Sequence, residues 1–259
     1  MVEFEHLIDA TRLRALFEQG TGRGMRVAVL DTGVEADHPK LRRPDGTRAV
    51  VESWEIVRDG GLVCRKTAGE DLVGHGTACA GIIHRYAPDA DLYSVRVIGK
   101  NAVGTGDQFI RGLRWAIDHG MHVVNLSLGT TQPRLELELW RLANEAYFHG
   151  TLLVAAANNF RHLSYPANSA SLIAVDNQPF DGKPDLFFHV HRFQPPPELA
   201  ARGIYVEAPS RGGQMQLWTG TSFACPHVAA VIVRLRSVIP NLTAYEAKTA
   251  LWALRENRE

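Results

Sequence analysis

The stretch VAVLDTGVEADHP, residues 27–39, joins a continuous apolar run to the acidic residue Asp31. Residues 27–30 are apolar without alternation, which is typical of a strand buried on both faces of a parallel sheet. Asp31 would then lie at the carboxyl end of that strand, where α/β proteins gather their sites. The simpler alternative is that Asp31 only caps the turn that ends the strand.

Similar apolar runs recur along the chain, bounded by Gly, Asp or Asn. They lie at 92–98, 123–128, 152–157, 172–175 and 204–206. Helical patterns separate several of them, at 108–120 and 134–150, and the TAYE motif at 243–246 is a capping box that opens a last helix. This alternation predicts an α/β fold with a mostly parallel sheet.

Composition excludes several classes of protein. The 259 residues are 45% hydrophobic and 22% charged, which predicts one globular domain over 1–259. Lys plus Arg equals Asp plus Glu at 28 each, so we expect no nucleic-acid partner, and no apolar run is long enough to span a membrane. Three scattered cysteines and a first segment without the pattern of a signal peptide lead us to expect a cytoplasmic protein.

Two further motifs decide between the interpretations of Asp31. GHGTACAG at 74–81 places His75 between two glycines, which allow close backbone approach. GTSFACPHVAA at 220–230 places Ser222 at the start of a small-residue helix, where we expect Pro226 in the first turn. Asp-Thr-Gly after an apolar run is also typical of the catalytic carboxylate of aspartic proteases, which need two such carboxylates. The chain has one copy of the motif, and a homodimer that supplied the second would need a mostly β fold, which the sequence pattern does not favour.

These three motifs, in the order Asp, His, Ser, resemble those of the subtilisin-like serine proteases, the subtilases. The resemblance runs from about residue 8 to the last helix and is weak over 177–203. It implies a three-layer sandwich around a mostly parallel central sheet. It also implies that Ser222 is the nucleophile, that His75 is the general base and that Asp31 orients His75.

The same resemblance assigns further site residues. In LLVAAANN, residues 152–159, the register gives Asn159 the role of oxyanion donor, and Asn158 stands where the family usually has glycine. NLSLG at 125–129 resembles the strand edge that pairs with an extended peptide, and GTG at 104–106 resembles the opposite edge. The implied substrate-binding residues are Ser127, Leu128, Gly129, Gly104, Gly106 and Asn158.

We expect no cofactor and no metal. Many subtilases interrupt the helix of the catalytic His with a calcium-binding loop, but here residues 82–86 join Gly81 directly to Ala87-Pro88 without a carboxylate or amide side chain. His189 and His191 have a spacing that can bind metal, but no third ligand is nearby in the sequence. The early first catalytic strand also predicts folding without a pro-domain.

The resemblance implies a serine endopeptidase that acts on an extended peptide or protein, in processing or regulatory proteolysis inside the cell. The alternative is a pseudo-protease that binds a peptide in the same groove without cutting it. Asn158 and the divergent stretch 177–203 favour that alternative, while the complete triad opposes it.

Overall fold

The computed structural model describes residues 9–101, 103–160, 162–179, 188–190 and 198–255. Its helices are α1 (Ala10–Gln19), α2 (His75–Tyr86), α3 (Gly106–Asp118), α4 (Glu136–Phe148), α5 (Thr221–Val238) and α6 (Ala244–Leu254). Its strands are β1 (Arg26–Asp31), β2 (Val50–Arg58), β3 (Leu62–Lys66), β4 (Asp91–Arg96), β5 (Val123–Leu126), β6 (Leu152–Ala156), β7 (Ile173–Gln178), β8 (Phe188–Val190), β9 (Leu199–Arg202), β10 (Val206–Ser210) and β11 (Gln214–Trp218).

A nine-stranded sheet forms the centre, in the order β3-β2-β4-β1-β5-β6-β7-β9-β8. The seven strands from β2 to β9 pair in parallel, and the two edge strands, β3 and β8, pair antiparallel. β1 lies between β4 and β5, so Asp31 emerges near the middle of the carboxyl edge. This placement confirms the mostly parallel α/β sheet that the apolar runs predict.

Helices cover both faces of the sheet. On one face, buried residues of α1, α2, α5 and α6 pack against alternate strand residues such as Val27 and Val29. On the other face, α3 and α4 pack against the intervening residues, among them Ala28 and Leu30. The strands read as continuous apolar runs because both of their faces are buried. This confirms the three-layer architecture.

Two local expectations are wrong. The run at 204–206 is not a strand, because Tyr205 has φ 51° and this left-handed backbone interrupts an extended chain. The strand starts at Val206 and belongs to the separate β10–β11 hairpin. Pro226 lies in the second turn of α5 and not the first, since that helix starts at Thr221.

Expectations for part of the divergent stretch 177–203 cannot be compared with the structure. Of this stretch, residues 180–187 and 191–197 lie outside the described residues, and His191 with them. The TAYE capping box is present, with Thr243 and Glu246 bonded reciprocally at the start of α6. Among the described helices, none combines the length and the apolar character needed to cross a bilayer.

Candidate active site

Asp31 ends β1 as a fully buried carboxylate. The Thr32 N–H donates to its Oδ1 at 2.7 Å, while its Oδ2 has no hydrogen-bond partner in the described part of the chain. Two glycines let the neighbouring segments approach. A Cβ on Gly33 would lie 2.1 Å from the Glu70 carbonyl oxygen, and one on Gly76 would lie 2.0 Å from the Gly33 carbonyl oxygen.

His75 opens α2, directly after Gly74, which has φ 105°. That left-handed turn needs a glycine and aims the first helical residue at the end of β1. His75 Nδ1 lies 2.7 Å from Asp31 Oδ1, which fixes the tautomer with its proton on Nδ1. The His75 side chain keeps 23% of its surface exposed, so the other ring nitrogen is available to a reactant.

The electrostatics of this pair follow from burial and charge. Burial is the largest influence on the pKa of His75 and lowers it, but the Asp31 carboxylate and the Cys79 sulfur together raise it more, so that the pKa lies above its ordinary value. Aromatic rings complete the surroundings, with Phe223 at 5.0 Å and Trp218 at 6.2 Å from the imidazole, between ring centroids. These rings cover part of the imidazole, and the full burial of Asp31 strengthens its interaction with His75.

Ser222 is the second residue of α5, and its hydroxyl donates to the Ser127 carbonyl oxygen at 3.0 Å. A hydroxyl carries one proton, so the Ser222 side chain must rotate before it can donate to His75. Such hydrogen bonds often tighten only when substrate is bound. Helix N-terminal N–H groups surround this position and favour developing negative charge.

Pro226 has a specific effect on the nucleophile. It lacks the N–H that would bond to the carbonyl of Ser222, four residues earlier in α5. That free carbonyl instead accepts from Ser127 Oγ at 2.7 Å and from Cys79 Sγ at 3.5 Å. The two donors tie the start of α5 to the end of β5 and to the second turn of α2.

Asn159 lies beside the start of α5. The Thr221 N–H donates to Asn159 Oδ1 at 2.9 Å, which leaves the Nδ2 group as a donor for another acceptor. Asn158, by contrast, turns its side chain onto its own loop, because its Oδ1 accepts from the Phe160 N–H at 2.8 Å. This geometry favours Asn159 over Asn158 as the oxyanion donor.

A cavity of about 190 Å³ opens beside Ser222. Two segments, 127–129 and 156–160, form its walls, together with Ser164, Thr221 and Ser222. The predicted residues Ser127, Leu128, Gly129, Asn158 and Asn159 are therefore brought together. Gly104 and Gly106 do not line this cavity, and a Cβ on Gly106 would lie 2.1 Å from the side chain of Leu135.

Cys79 is buried behind the imidazole, with Sγ 3.9 Å from His75 Nδ1. Burial raises the pKa of this thiol, which therefore stays protonated. Among the described residues, Asp31, His75 and Cys79 form the one group of three whose ligand atoms could hold a metal ion. Its Asp31 and His75 atoms already bond to each other, and the predicted absence of a metal stays a prediction.

Four residues in or beside the site are not among those predicted from the sequence: Phe223, Trp218, Ser164 and Asp71. Phe223 and Trp218 flank Ser222 in the chain, so their proximity to the nucleophile was a usable signal. Ser164 carried none, because it reaches the cavity only through the fold. Asp71, four residues before His75, bonds to Thr32 and to the start of α2, and its position in the sequence resembled an ordinary loop carboxylate.

Comparisons with known proteins show the family to which the chain is related. The profile described as "Subtilase family" matches residues 22–253. The chain is 35% identical over 233 residues to the thermostable alkaline protease of Halalkalibacterium halodurans, covering 86% of this chain and 59% of that protein. It is 33% identical over 242 residues to subtilisin Savinase of Lederbergia lenta, covering 89% and 83%. The chain thus spans about 59% of the length of the first of these relatives.

Solved structures show the same fold. The chain matches Sphericase with a TM-score of 0.74 at 24% identity, covering 93% of this chain and 87% of that one. It matches a cold adapted subtilisin-like serine proteinase with a TM-score of 0.68, also at 24% identity, covering 90% and 82%. These likenesses support the arrangement of layers and strands described above.

Proposed function

Because the chain belongs to the subtilase family, we propose that it is a serine endopeptidase that cuts extended peptides or proteins. The observation that carries the proposal is the 2.7 Å contact between His75 and a fully buried Asp31, beside the start of α5, where Ser222 is partly buried. A buried carboxylate that orients an imidazole is the arrangement that activates a serine hydroxyl.

In the proposed reaction, Ser222 Oγ attacks the peptide carbonyl carbon and His75 Nε2 takes the hydroxyl proton. Asp31 holds the imidazole in its Nδ1–H tautomer and stabilises its cationic form. The oxyanion accepts hydrogen bonds from Asn159 Nδ2 and from N–H groups at the start of α5. The C–N bond then breaks as His75 returns the proton to the leaving amine, and water hydrolyses the acyl-enzyme by the same steps.

The substrate would bind in an extended conformation. The paired register of β5 ends at Leu126, so residues 127–129 continue towards the cavity beyond it. An added peptide strand could pair with this main chain while its P1 side chain enters the cavity. Gly104 and Gly106 stay candidates for the opposite edge of the groove, at the start of α3.

The experiment that tests this function is labelling with a fluorophosphonate, combined with hydrolysis of a mixed peptide library. An activated serine should react, and Ser222→Ala should abolish both labelling and hydrolysis. In subtilisin, loss of the nucleophile costs about 10⁶-fold in kcat. An unlabelled wild-type protein that still binds peptides would instead establish the pseudo-protease. Hydrolysis by Ser222→Ala above a thousandth of the wild-type rate would exclude Ser222 as nucleophile.

We also propose that the enzyme acts in the cytoplasm, in processing or regulatory proteolysis. The three cysteines support this, because all are free thiols and two of them, Cys79 and Cys225, are buried next to active-site segments. Unpaired cysteines are typical of a reducing compartment. Fractionation of the producing cells tests the proposal, and recovery of the protein in the medium would refute it.

A further inference from the structure

The helix that carries His75 begins without a side-chain cap. Its N-cap residue is Gly74, which has no side chain to accept from the first N–H groups of the helix. Asp71, three residues earlier, supplies the acceptors. Its Oδ1 accepts from the N–H groups of Val73 and Gly74 at 2.9 and 2.8 Å, and its Oδ2 accepts from the Thr77 N–H at 2.8 Å.

The same carboxylate also reaches the strand that carries Asp31. Thr32 Oγ1 donates to Asp71 Oδ1 at 2.8 Å and accepts from the Gly76 N–H at 3.1 Å. Thr77 Oγ1 adds a bond to Asp71 Oδ2 at 2.6 Å. Asp71 therefore accepts five hydrogen bonds that join the end of β1 to the first turn of α2.

This connection matters because glycines, which carry no side chains, meet where the start of α2 approaches the end of β1. Gly76 rests on the main chain of Gly33, and a Cβ there would also lie 3.0 Å from the Asp31 Cβ. A contact between glycines has no side chains that could hold it in place. Directional bonds to one carboxylate, in a partly buried position, fix the relative placement of the two segments.

We propose that Asp71 is a positioning residue, whose carboxylate holds His75 at the distance from Asp31 that proton transfer requires. The proposal rests on the proposed peptidase function for its kinetic consequence. Asp71 is not among the residues that line the cavity beside Ser222, which come mainly from the segments 127–129 and 156–160. Its loss should therefore affect kcat much more than KM.

Asp71→Asn is the variant that tests this role. An amide has one acceptor oxygen and one NH₂ donor. Some of the five groups that donate to Asp71 would therefore point at the NH₂ group and lose their hydrogen bonds. Misplacement of catalytic groups by about 1 Å can cost about 10²-fold in rate. We expect kcat per active site to fall by about 10- to 100-fold with little change in KM. Asp37→Asn is the matched control, because Asp37 is an exposed carboxylate paired with Arg42 and Arg48.

Two measurements separate positioning from folding. Titration with a fluorophosphonate counts competent sites, so a purely structural role would lower the count and leave kcat per site unchanged. The low-field NMR signal of the His75 Nδ1 proton reports the bond to Asp31 without any turnover. We expect Asp71→Asn to shift or broaden that signal and Asp37→Asn to preserve it. Unchanged kcat per site together with an unchanged signal would overturn the proposal.

A second pair of variants covers the case in which Asp71→Asn does not fold. Thr77→Val removes the hydroxyl that donates to Asp71 and accepts from the Glu35 N–H, and it keeps the Thr77 N–H bond, whereas Thr77→Ser keeps all three bonds. Positioning predicts a lower kcat per site and a shifted His75 signal in Thr77→Val, with recovery in Thr77→Ser. Equal values in both variants would refute it. Because the NMR signal needs no turnover, an inactive wild-type protein would refute the peptidase proposal while the Asp71 contacts could still be tested.

Discussion

Replacing Asn159 by alanine separates the oxyanion role of this side chain from its structural role. The Asn159 Oδ1 accepts the Thr221 N–H at 2.9 Å, and its Nδ2 is the group assigned to the oxyanion. In subtilisin, loss of one oxyanion donor lowers kcat by about 10²–10³-fold, or about 2.7–4 kcal/mol. We expect the same loss here, with a modest change in KM.

The structural part of the effect is smaller and measurable on its own. Asn159→Ala leaves the Thr221 N–H without its acceptor, and a neutral hydrogen bond contributes about 0.5–1.5 kcal/mol. Asn159 is exposed, so water can replace the lost acceptor and the lower end applies. For a chain of this size, 1 kcal/mol corresponds to about 2–4 °C in melting temperature. We therefore expect a decrease of about 1–2 °C.

Asn159→Asp distinguishes the two roles. Its carboxylate keeps an acceptor for Thr221 at the N-terminus of α5, so the melting temperature should be preserved. The variant has no NH₂ donor and places negative charge near the oxyanion, so kcat should fall at least as far as in Asn159→Ala. The assay is hydrolysis of a chromogenic peptide after active-site titration. A large loss in Asn158→Ala with near wild-type kcat in Asn159→Ala would refute the assigned register.

Three further predictions follow from the site and from α2. Because the Asp31 charge raises the pKa of His75, kcat/KM should rise with pH through a limb above the ordinary histidine value of about 6.5. An NMR titration in Ser222→Ala should give a lower pKa for His75 when Asp31→Asn is added. Equal pKa values would refute the assigned cause. The cavity of about 190 Å³, bounded by Asn158 and Ser164, should disfavour large aromatic P1 residues. Asn158→Gly should raise kcat/KM for Phe relative to Ala at P1 by about 10-fold. An unchanged ratio would show that the Asn158 side chain does not limit the cavity. Since α2 continues from His75 to Tyr86 without a calcium-binding loop, excess EDTA should leave activity and melting temperature unchanged. A tight, occupied calcium site would contribute about 4 kcal/mol to stability at a thousand-fold excess of calcium over Kd. A melting temperature lower by several degrees in EDTA would therefore reveal a calcium site.

The central strands and the residues assigned to the triad were predictable because their requirements are local. A strand buried on both faces must be apolar throughout, as residues 27–30 are. The close approach of His75 to Asp31 needs glycine at positions adjacent in the chain, so Gly33, Gly74 and Gly76 mark it in the sequence. Local constraints of this kind can be read without knowing which segments meet.

Exposed edge segments could not be predicted in the same way. β3 is largely exposed, and β11 is exposed along nearly its whole length, so neither has a continuous apolar pattern. Both form because a partner strand in a hairpin supplies their hydrogen bonds. The run at 204–206 shows the opposite error, since an apolar composition did not prevent the left-handed turn at Tyr205.

The residues that are candidates for the chemistry can be named from the amino-acid sequence, but the contacts that hold them in place depend on the tertiary structure. Pro226 leaves the Ser222 carbonyl without a partner within the helix. The two residues that donate to this carbonyl instead, Ser127 and Cys79, lie 95 and 143 positions away from Ser222 in the chain. Asp71 becomes the link between β1 and α2 only because the fold brings Thr32 to it, 39 positions away in the chain. A hydrogen bond depends on distance and direction in space, and the topology of the sheet sets both for residues so far apart.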